Sequence, residues 1–316
     1  MKSVASAPGK VILFGEHFVV YGTKAILCAI DKRITATSQF LDERKIHIKS
    51  EMGDAEVDLN MPFNPDQISN KFMKPFLHIA KETLQEFNEN RGIEITLESD
   101  ILAGVGLGSS SAACVATAAS VAGLFNKKSK EAILRKAIES ERTIFEDVSG
   151  ADSSISTFGG LISYSKEGYE KINSKNDLSL IIANSNQTHN TKEVVLKVKE
   201  FKNRNETLFS EMCEQENKLV KDALSAIKEN DLNKLGFLML KNQEMLEKIN
   251  VSTGKLDLLV KEAIKTSYGA KITGAGGGGC IISLVDKSNL ASTLENLKKI
   301  SECFVAKIDF EGLRYS

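Results

Sequence analysis

The chain has 316 residues, 42% hydrophobic and 26% charged, which suits a folded protein of about two domains and argues against disorder. Its 41 basic and 42 acidic residues leave a formal net charge of -1, so charge makes no case for a nucleic-acid or acidic-membrane partner. No apolar run approaches the ~20 residues of a membrane span, and Met1 to Pro8 has no signal-peptide core.

In chain order, Val11 to Phe14, Ala25 to Ile30, Ile34 to Phe40 and Lys45 to Lys49 are β-branched or alternating and predict strands. Asp54 to Asp66 holds two of the four prolines and predicts an irregular loop. Phe72, Phe76, Ile79, Leu84 and Phe87 fall near a helical period and predict a helix over Asn70 to Asn90. Gly92 to Leu97 alternates as a strand does. The alanine-rich Ser109 to Phe125 predicts a helix, and so does Lys128 to Asp147, opened by Ser129 and Glu131. Leu161 to Tyr164 and Leu178 to Ile182 predict strands. Four amphipathic stretches follow at 191–202, 207–229, 231–248 and 255–267, then strand, helix and strand at 280–285, 288–300 and 303–310. The shift toward helix places a domain boundary near residue 185, giving domains 1–185 and 186–316.

Five cysteines lie far apart, at Cys28, Cys114, Cys213, Cys280 and Cys303, with no CxxC pair. This pattern predicts reduced thiols in the cytoplasm rather than a zinc or dithiol site.

The chemistry concentrates in three glycine-bearing segments. In Gly104-Val105-Gly106-Leu107-Gly108-Ser109-Ser110-Ser111, alternate glycines free the backbone to approach an anion, and a helix follows whose first N–H groups have no partner. A serine-capped helix after a flexible turn reads equally well from these residues alone. No Walker-type GxxxxGK run exists, and the glycine spacing is wrong for a dinucleotide fingerprint. The segment Lys271-Ile272-Thr273-Gly274-Ala275-Gly276-Gly277-Gly278-Gly279-Cys280 joins a short strand predicted over Ala270 to Ile272 to one starting at Cys280, and its four consecutive glycines are costly to order. Such a connection suits close passage against a ligand or another backbone. In the first segment, Lys10 and Glu16 flank an apolar strand and His17 follows.

In this order the three segments resemble the GHMP kinase superfamily. The first, Pro8-Gly9-Lys10-Val11-Ile12-Leu13-Phe14-Gly15-Glu16-His17-Phe18-Val19-Val20-Tyr21-Gly22, is similar to the form found in its mevalonate kinase branch. Galactokinases follow Gly-Glu-His with an acid, where Phe18-Val19-Val20 here is apolar, and phosphomevalonate kinases commonly carry Gly-Glu-Tyr, where this chain keeps His17. Ser149-Gly150-Ala151-Asp152 resembles the segment that supplies the branch's catalytic aspartate. The chain departs from the family pattern at Leu102, Ser111 and Val148.

The resemblance implies an α+β fold of two domains, an S5-like N-terminal one and a ferredoxin-like C-terminal one with extra helices, with the site between them. It implies Mg²⁺-dependent transfer of phosphate from ATP to the primary hydroxyl of mevalonate, in the cytoplasm; a homodimer is compatible with it. The alternatives are phosphomevalonate or another small alcohol as acceptor, or a non-catalytic ATP-binding relative. By the same resemblance Asp152 is the general base and Lys10 its partner toward the γ-phosphate. Gly104, Gly106, Leu107, Gly108, Ser109, Ser110 and Ser111 cradle ATP, and Ser110 and Glu141 hold the metal. Glu16, His17, Thr191 and Gly276 line the acceptor, with Lys192 a further cation near its carboxylate. Read without the resemblance, Asp152 suits a helix cap and Glu141 a helix-face carboxylate.

Overall fold

A computed structural model describes residues 1–61, 68, 70–102, 104–145, 148–174, 178–188 and 190–316. Two long strands, β1 (Lys2–Phe14) and β2 (Ala25–Leu41), pair antiparallel and form the spine of the first sheet. Their β-branched and alanine-rich runs bury Val11, Leu13, Phe14, Ile26 and Ile30, as sequence patterning requires of a sheet covered by helices. The sheet adds β3 (Lys45–Ser50), β4 (Ala55–Asp58), β5 (Gly92–Ser99), β6 (Leu161–Ser165) and β7 (Gly168–Ile172). With β12 (Arg314–Tyr315) at one edge, the principal order is β12-β1-β2-β5-β3-β4, with β6 bridging β2 and β7. β3 and β5 run parallel; the other pairs are antiparallel.

Helices α1 (Lys74–Glu86), α2 (Ser109–Gly123), α3 (Lys130–Glu141) and α4 (Ala151–Phe158) pack around this sheet. Every residue of α2 from Ser111 to Val121 is buried. Alanine and serine are what such a helix demands, because it touches β1 and β2 on one side and α1, α3 and α4 on others. Ser129 caps α3 by accepting from the Ala132 N–H at 3.3 Å, at the start expected from sequence.

The second sheet has the order β11-β8-β10-β9, all antiparallel, from β8 (Ser179–Asn184), β9 (Gly269–Thr273), β10 (Cys280–Val285) and β11 (Cys303–Lys307). Around it lie α5 (Thr191–Arg204), α6 (Glu206–Glu229), α7 (Leu232–Lys248), α8 (Gly254–Ala263) and α9 (Leu290–Lys298). The chain then returns to the first sheet as β12 (Arg314–Tyr315), beside β1. The packing is continuous, since one hydrophobic cluster holds Val11 and Ile26 together with Ile182, Val220 and Leu235.

Several expectations need correction. The boundary near residue 185 cuts after a strand that already belongs to the second sheet, and the last residues fold back onto the first, so the chain does not divide cleanly at one point. Ala55–Asp58 pairs with β3, within the stretch read as an irregular loop; positions 62–66 of that stretch lie outside the described residues. The helix expected over Lys128 to Asp147 ends at Glu141, and residues 146–147 lie outside the description. The strand β7 has no counterpart among the expected elements, and the short α4 only the helix that an Asp152 cap would open.

Candidate active site

The three glycine segments meet in space, with the first as the common partner. Its backbone is bonded on one side to the second segment, where the Lys10 N–H donates to the Leu107 carbonyl at 2.9 Å. On the other side it is bonded to the third: Thr273 Oγ1 accepts from the Ile12 N–H at 2.8 Å and donates to the Ile12 carbonyl at 3.1 Å. The second and third segments approach each other directly, since a Cβ on Gly274 would stand 3.6 Å from the Gly106 carbonyl.

Lys10 is buried to 5% exposure and extends along the start of α2. Its Nζ donates to the Gly106 carbonyl at 3.2 Å and lies 3.3 Å from Asp152 Oδ2. Gly108 makes this path possible. It is the N-cap of α2 at φ 73°, and a Cβ there would stand 2.7 Å from Lys10 Cγ. Asp152 is in the first turn of α4 and 39% exposed, and Gly150, not Asp152, is the N-cap. A half-open carboxylate therefore faces a buried ammonium at the mouth of two helices.

Glu141, at the end of α3, sits beneath this pair. Ser111 Oγ donates to one of its oxygens at 2.7 Å and Ser153 Oγ to the other at 2.6 Å. Burial pushes its carboxyl above the usual range, the hydroxyls of Ser153 and Ser111 oppose that shift, Asp152 adds to it and Lys10 subtracts. Ser111, expected in the ATP loop, turns its hydroxyl inward onto Glu141. Ser110 stands half-buried in the same first turn, and Ser109 beside it. Leu107 belongs to the core by its side chain and offers only backbone to a ligand, whereas Gly104 at φ 74° is open, with nothing within 4 Å of a Cβ there.

His17 takes φ 64°, unusual for a residue with a side chain, and opens a short 3-10 turn over Phe18–Tyr21. Its Nε2 is 2.7 Å from the Ala275 carbonyl. A carbonyl only accepts, so Nε2 carries the proton and Nδ1 is the free acceptor in the neutral ring. Burial lowers the pKa of this imidazole, the Ala275 contact raises it, and Lys271 lowers it further.

The remaining acceptor candidates part company. Glu16 is 1% exposed and its carboxylate is bonded to Lys271, so it points into the protein rather than into a cleft. Gly276 is buried against another backbone: a Cβ there would lie 2.3 Å from the Val251 carbonyl, which the next N–H, of Gly277, meets at 2.7 Å. Of the two passages expected for that loop, it is the approach to backbone that this glycine serves. Thr191 and Lys192 are exposed in the first turn of α5, where Asn190 is the cap and accepts from the Lys192 N–H at 3.1 Å. A surface cavity of about 290 Å³, lined by Arg44, Asp58, Lys81 and Glu89 among others, contains none of the predicted residues.

Sequence reasoning gave no role to Ser153, nor to Lys271 and Thr273 of the third segment. Ser153 follows Asp152 directly, and Lys271 and Thr273 precede the third glycine run, so proximity to the motifs was the available signal.

The N-terminal GHMP kinase family model matches residues 72–160 and the C-terminal one residues 223–301. A mevalonate kinase of Pyrococcus furiosus is 36% identical over 304 residues, covering 90% of this chain and 89% of that protein. One from Methanocaldococcus jannaschii is 33% identical, covering 94% and 96%. The crystal structure of the Methanococcus jannaschii mevalonate kinase superposes with a TM-score of 0.87 at 32% identity, over 97% of this chain and 98% of that one.

Proposed function

This chain belongs to the GHMP kinase family, and on that premise we propose that it transfers the terminal phosphoryl group of ATP to the primary hydroxyl of mevalonate, giving 5-phosphomevalonate. The observation that carries the reading is the Lys10–Asp152 pair at 3.3 Å, set where the glycine segment opens α2. Phosphoryl transfer asks a protein for positioning and charge neutralisation more than for covalent chemistry. The first turn of α2 supplies N–H groups without helical partners, and Gly104, Gly106 and Gly108 let phosphate oxygens come close to them.

Asp152 accepts the proton of the acceptor hydroxyl as the bond to phosphorus forms. Lys10 lies between that carboxylate and the α2 loop, so the same ammonium orients the base and offsets charge on the transferred group. His17, neutral with a free Nδ1, accepts from a hydroxyl of the substrate rather than offering a cation to its carboxylate. The apolar run Phe18-Val19-Val20 suits a branched aliphatic acid better than a sugar.

The residues present fit Mg²⁺. Glu141 is a buried carboxylate whose two oxygens accept from hydroxyls and, among the described residues, from no lysine or arginine, and Ser110 adds a hard oxygen on the adjoining turn. When bound, the ion neutralises charge on the ATP phosphates. All five cysteines are free thiols, as a reducing cytoplasm keeps them, and no helix among the described residues is long and apolar enough to cross a membrane.

The test is release of ADP from Mg·ATP with mevalonate, phosphomevalonate, homoserine and galactose as acceptors. Mevalonate is expected to be preferred, at roughly 1–100 s⁻¹. A clear preference for phosphomevalonate or galactose would overturn the assignment.

A further inference from the structure

One cluster of charged side chains lies outside the transfer machinery. Lys271, on β9, is fully buried, at 0% exposure, and its Nζ donates to Glu16 and to the Ile272 carbonyl. Glu216 of α6, also at 0%, lies beside the same turn, near enough to Gly15 and Glu16 to feel both, and accepts from Asn242 of α7 at 2.7 Å. Gln243, the next residue of α7, accepts from the Ile272 N–H at 2.9 Å. Charges from both halves of the chain thus converge where β1 ends and His17 begins.

The spacing on the β9 side is regular. Lys271, Thr273 and Ala275 are alternate residues, and each grips one residue of the first segment: Glu16, Ile12 and His17 respectively. Successive side chains of a strand alternate, so 271 and 273 share a face. Thr273 fixes the strand, Ala275 fixes the imidazole, and Lys271 fixes the residue between them. His17 itself is held in the left-handed region, a conformation that persists only when its surroundings impose it.

Burial alone does not account for an ion pair at this place. A buried pair is costly to desolvate, and apolar residues of similar volume often stabilise a fold as well or better. We infer that Lys271 is a positioning residue for the phosphoryl transfer, holding Glu16 and through it the strained Gly15–His17 turn, so that His17 meets the acceptor in a single orientation. This inference rests on the kinase reading of the site. It gives Glu16 a structural charge partner in place of the substrate contact expected from sequence.

The experiment compares Lys271→Met/Glu16→Gln, in which both charges go, with Glu16→Gln alone, in which the amide oxygen still accepts from Lys271. The assay uses whichever alcohol the wild-type protein accepts, so failure on mevalonate sinks the acceptor assignment without touching this one. The double variant is expected to melt within a few degrees of wild type, because both members of the ion pair go together and Glu216, whose carboxyl burial raises, keeps its proton. Its kcat should nonetheless fall by about 10²-fold, the cost of a small misplacement near the reacting groups, while the KM for ATP stays close to wild type. The His17 imidazole, followed by NMR, should lose its fixed Nε2–H tautomer. Glu16→Gln, which keeps one hydrogen bond, should fall by about tenfold. Native kcat and a native His17 signal in the double variant would overturn the inference. If that variant does not fold, native kcat in Glu16→Gln does so alone.

Discussion

Replacing Asp152 by Asn keeps the shape of the side chain and removes its charge and its capacity to take a proton. The structure sets what that costs the fold. Lys10 Nζ is 3.3 Å from Oδ2, so at an effective dielectric of about 20 the gross attraction is about 5 kcal/mol. Asp152 is 39% exposed, and pairs open to solvent keep only ~1 kcal/mol net. In a protein of 316 residues that corresponds to a fall of about 1–2 °C in Tm. Lys10 keeps its bond to the Gly106 carbonyl, and the cap of α4 is Gly150, so neither is lost with the charge. The chemical step loses far more: removing a general base lowers kcat by ~10²–10⁴. ATP affinity should hold, because the proposed seat of the phosphates is the α2 loop and not this carboxylate. Measuring kcat by coupled ADP release, ATP affinity by calorimetry and Tm on this one variant separates the two roles. Near-wild-type turnover would remove Asp152 from the mechanism. Lys10→Met should also lower kcat, and combining it with Asp152→Asn should cost little beyond the worse single change, since groups acting as a unit are not additive.

Glu141→Gln and Ser110→Ala should each raise the Mg²⁺ concentration needed for half-maximal activity; unchanged Mg²⁺ dependence in both rejects them as metal ligands. Gly108→Ala puts a Cβ 2.7 Å from Lys10 Cγ at φ 73°, so kcat should drop by about tenfold or more, with ~1–2 kcal/mol lost from stability. Unaltered turnover there would show that Lys10 need not follow its observed path. Glu216 tests the buried cluster through pH. Burial first, then Glu16, raises its carboxyl from 4.5 to about 7, while Lys271, Asn242 and the Gly15 N–H oppose the shift. The folded state therefore holds a proton that the unfolded chain releases, and this contribution is complete below about pH 4.5 and lost as pH rises through about 7, worth at most about 3 kcal/mol. Tm should fall between pH 5 and 8, and Glu216→Gln should flatten the fall; an unchanged slope would acquit this carboxyl.

Much of the fold could be read in advance because its elements carry strong periodic signals. The stretches 191–202, 207–229, 231–248 and 255–267 are amphipathic, and they became α5 to α8. The elements that escaped are short, polar or both. α4 is eight residues long and buries Ser153, Ser154, Ser156 and Thr157, so its composition looks like a loop although its position is interior. β4, at a sheet edge, and β7, on a side branch, hold only half-buried and exposed residues, without a hydrophobic face for the eye to find. The boundary near 185 followed a change of composition, whereas sheet membership follows pairing, and β8 pairs forward with β10 and β11.

For the site, the motifs named the residues that meet at Lys10, Asp152 and Glu141, but not which of their neighbours hold them. Type alone cannot separate Lys271, wholly buried, from the many solvated lysines of the chain. Context can. On α6 the buried face runs Phe209, Met212, Glu216, Val220, Ala223 and Ile227, and a carboxylate occupies a place where the spacing calls for an apolar side chain. On α7 the face runs Leu235, Leu238, Met239, Asn242, Met245 and Leu246, interrupted by an amide in the same way. A carboxyl and an amide on the inner stripes of consecutive helices require polar partners, since burying such groups unsatisfied is costly. The nearest cation in the motifs not already assigned to phosphate is Lys271. The interrupted stripes therefore point to a buried ionic junction behind the first glycine segment, and through Glu16 to the turn that carries His17.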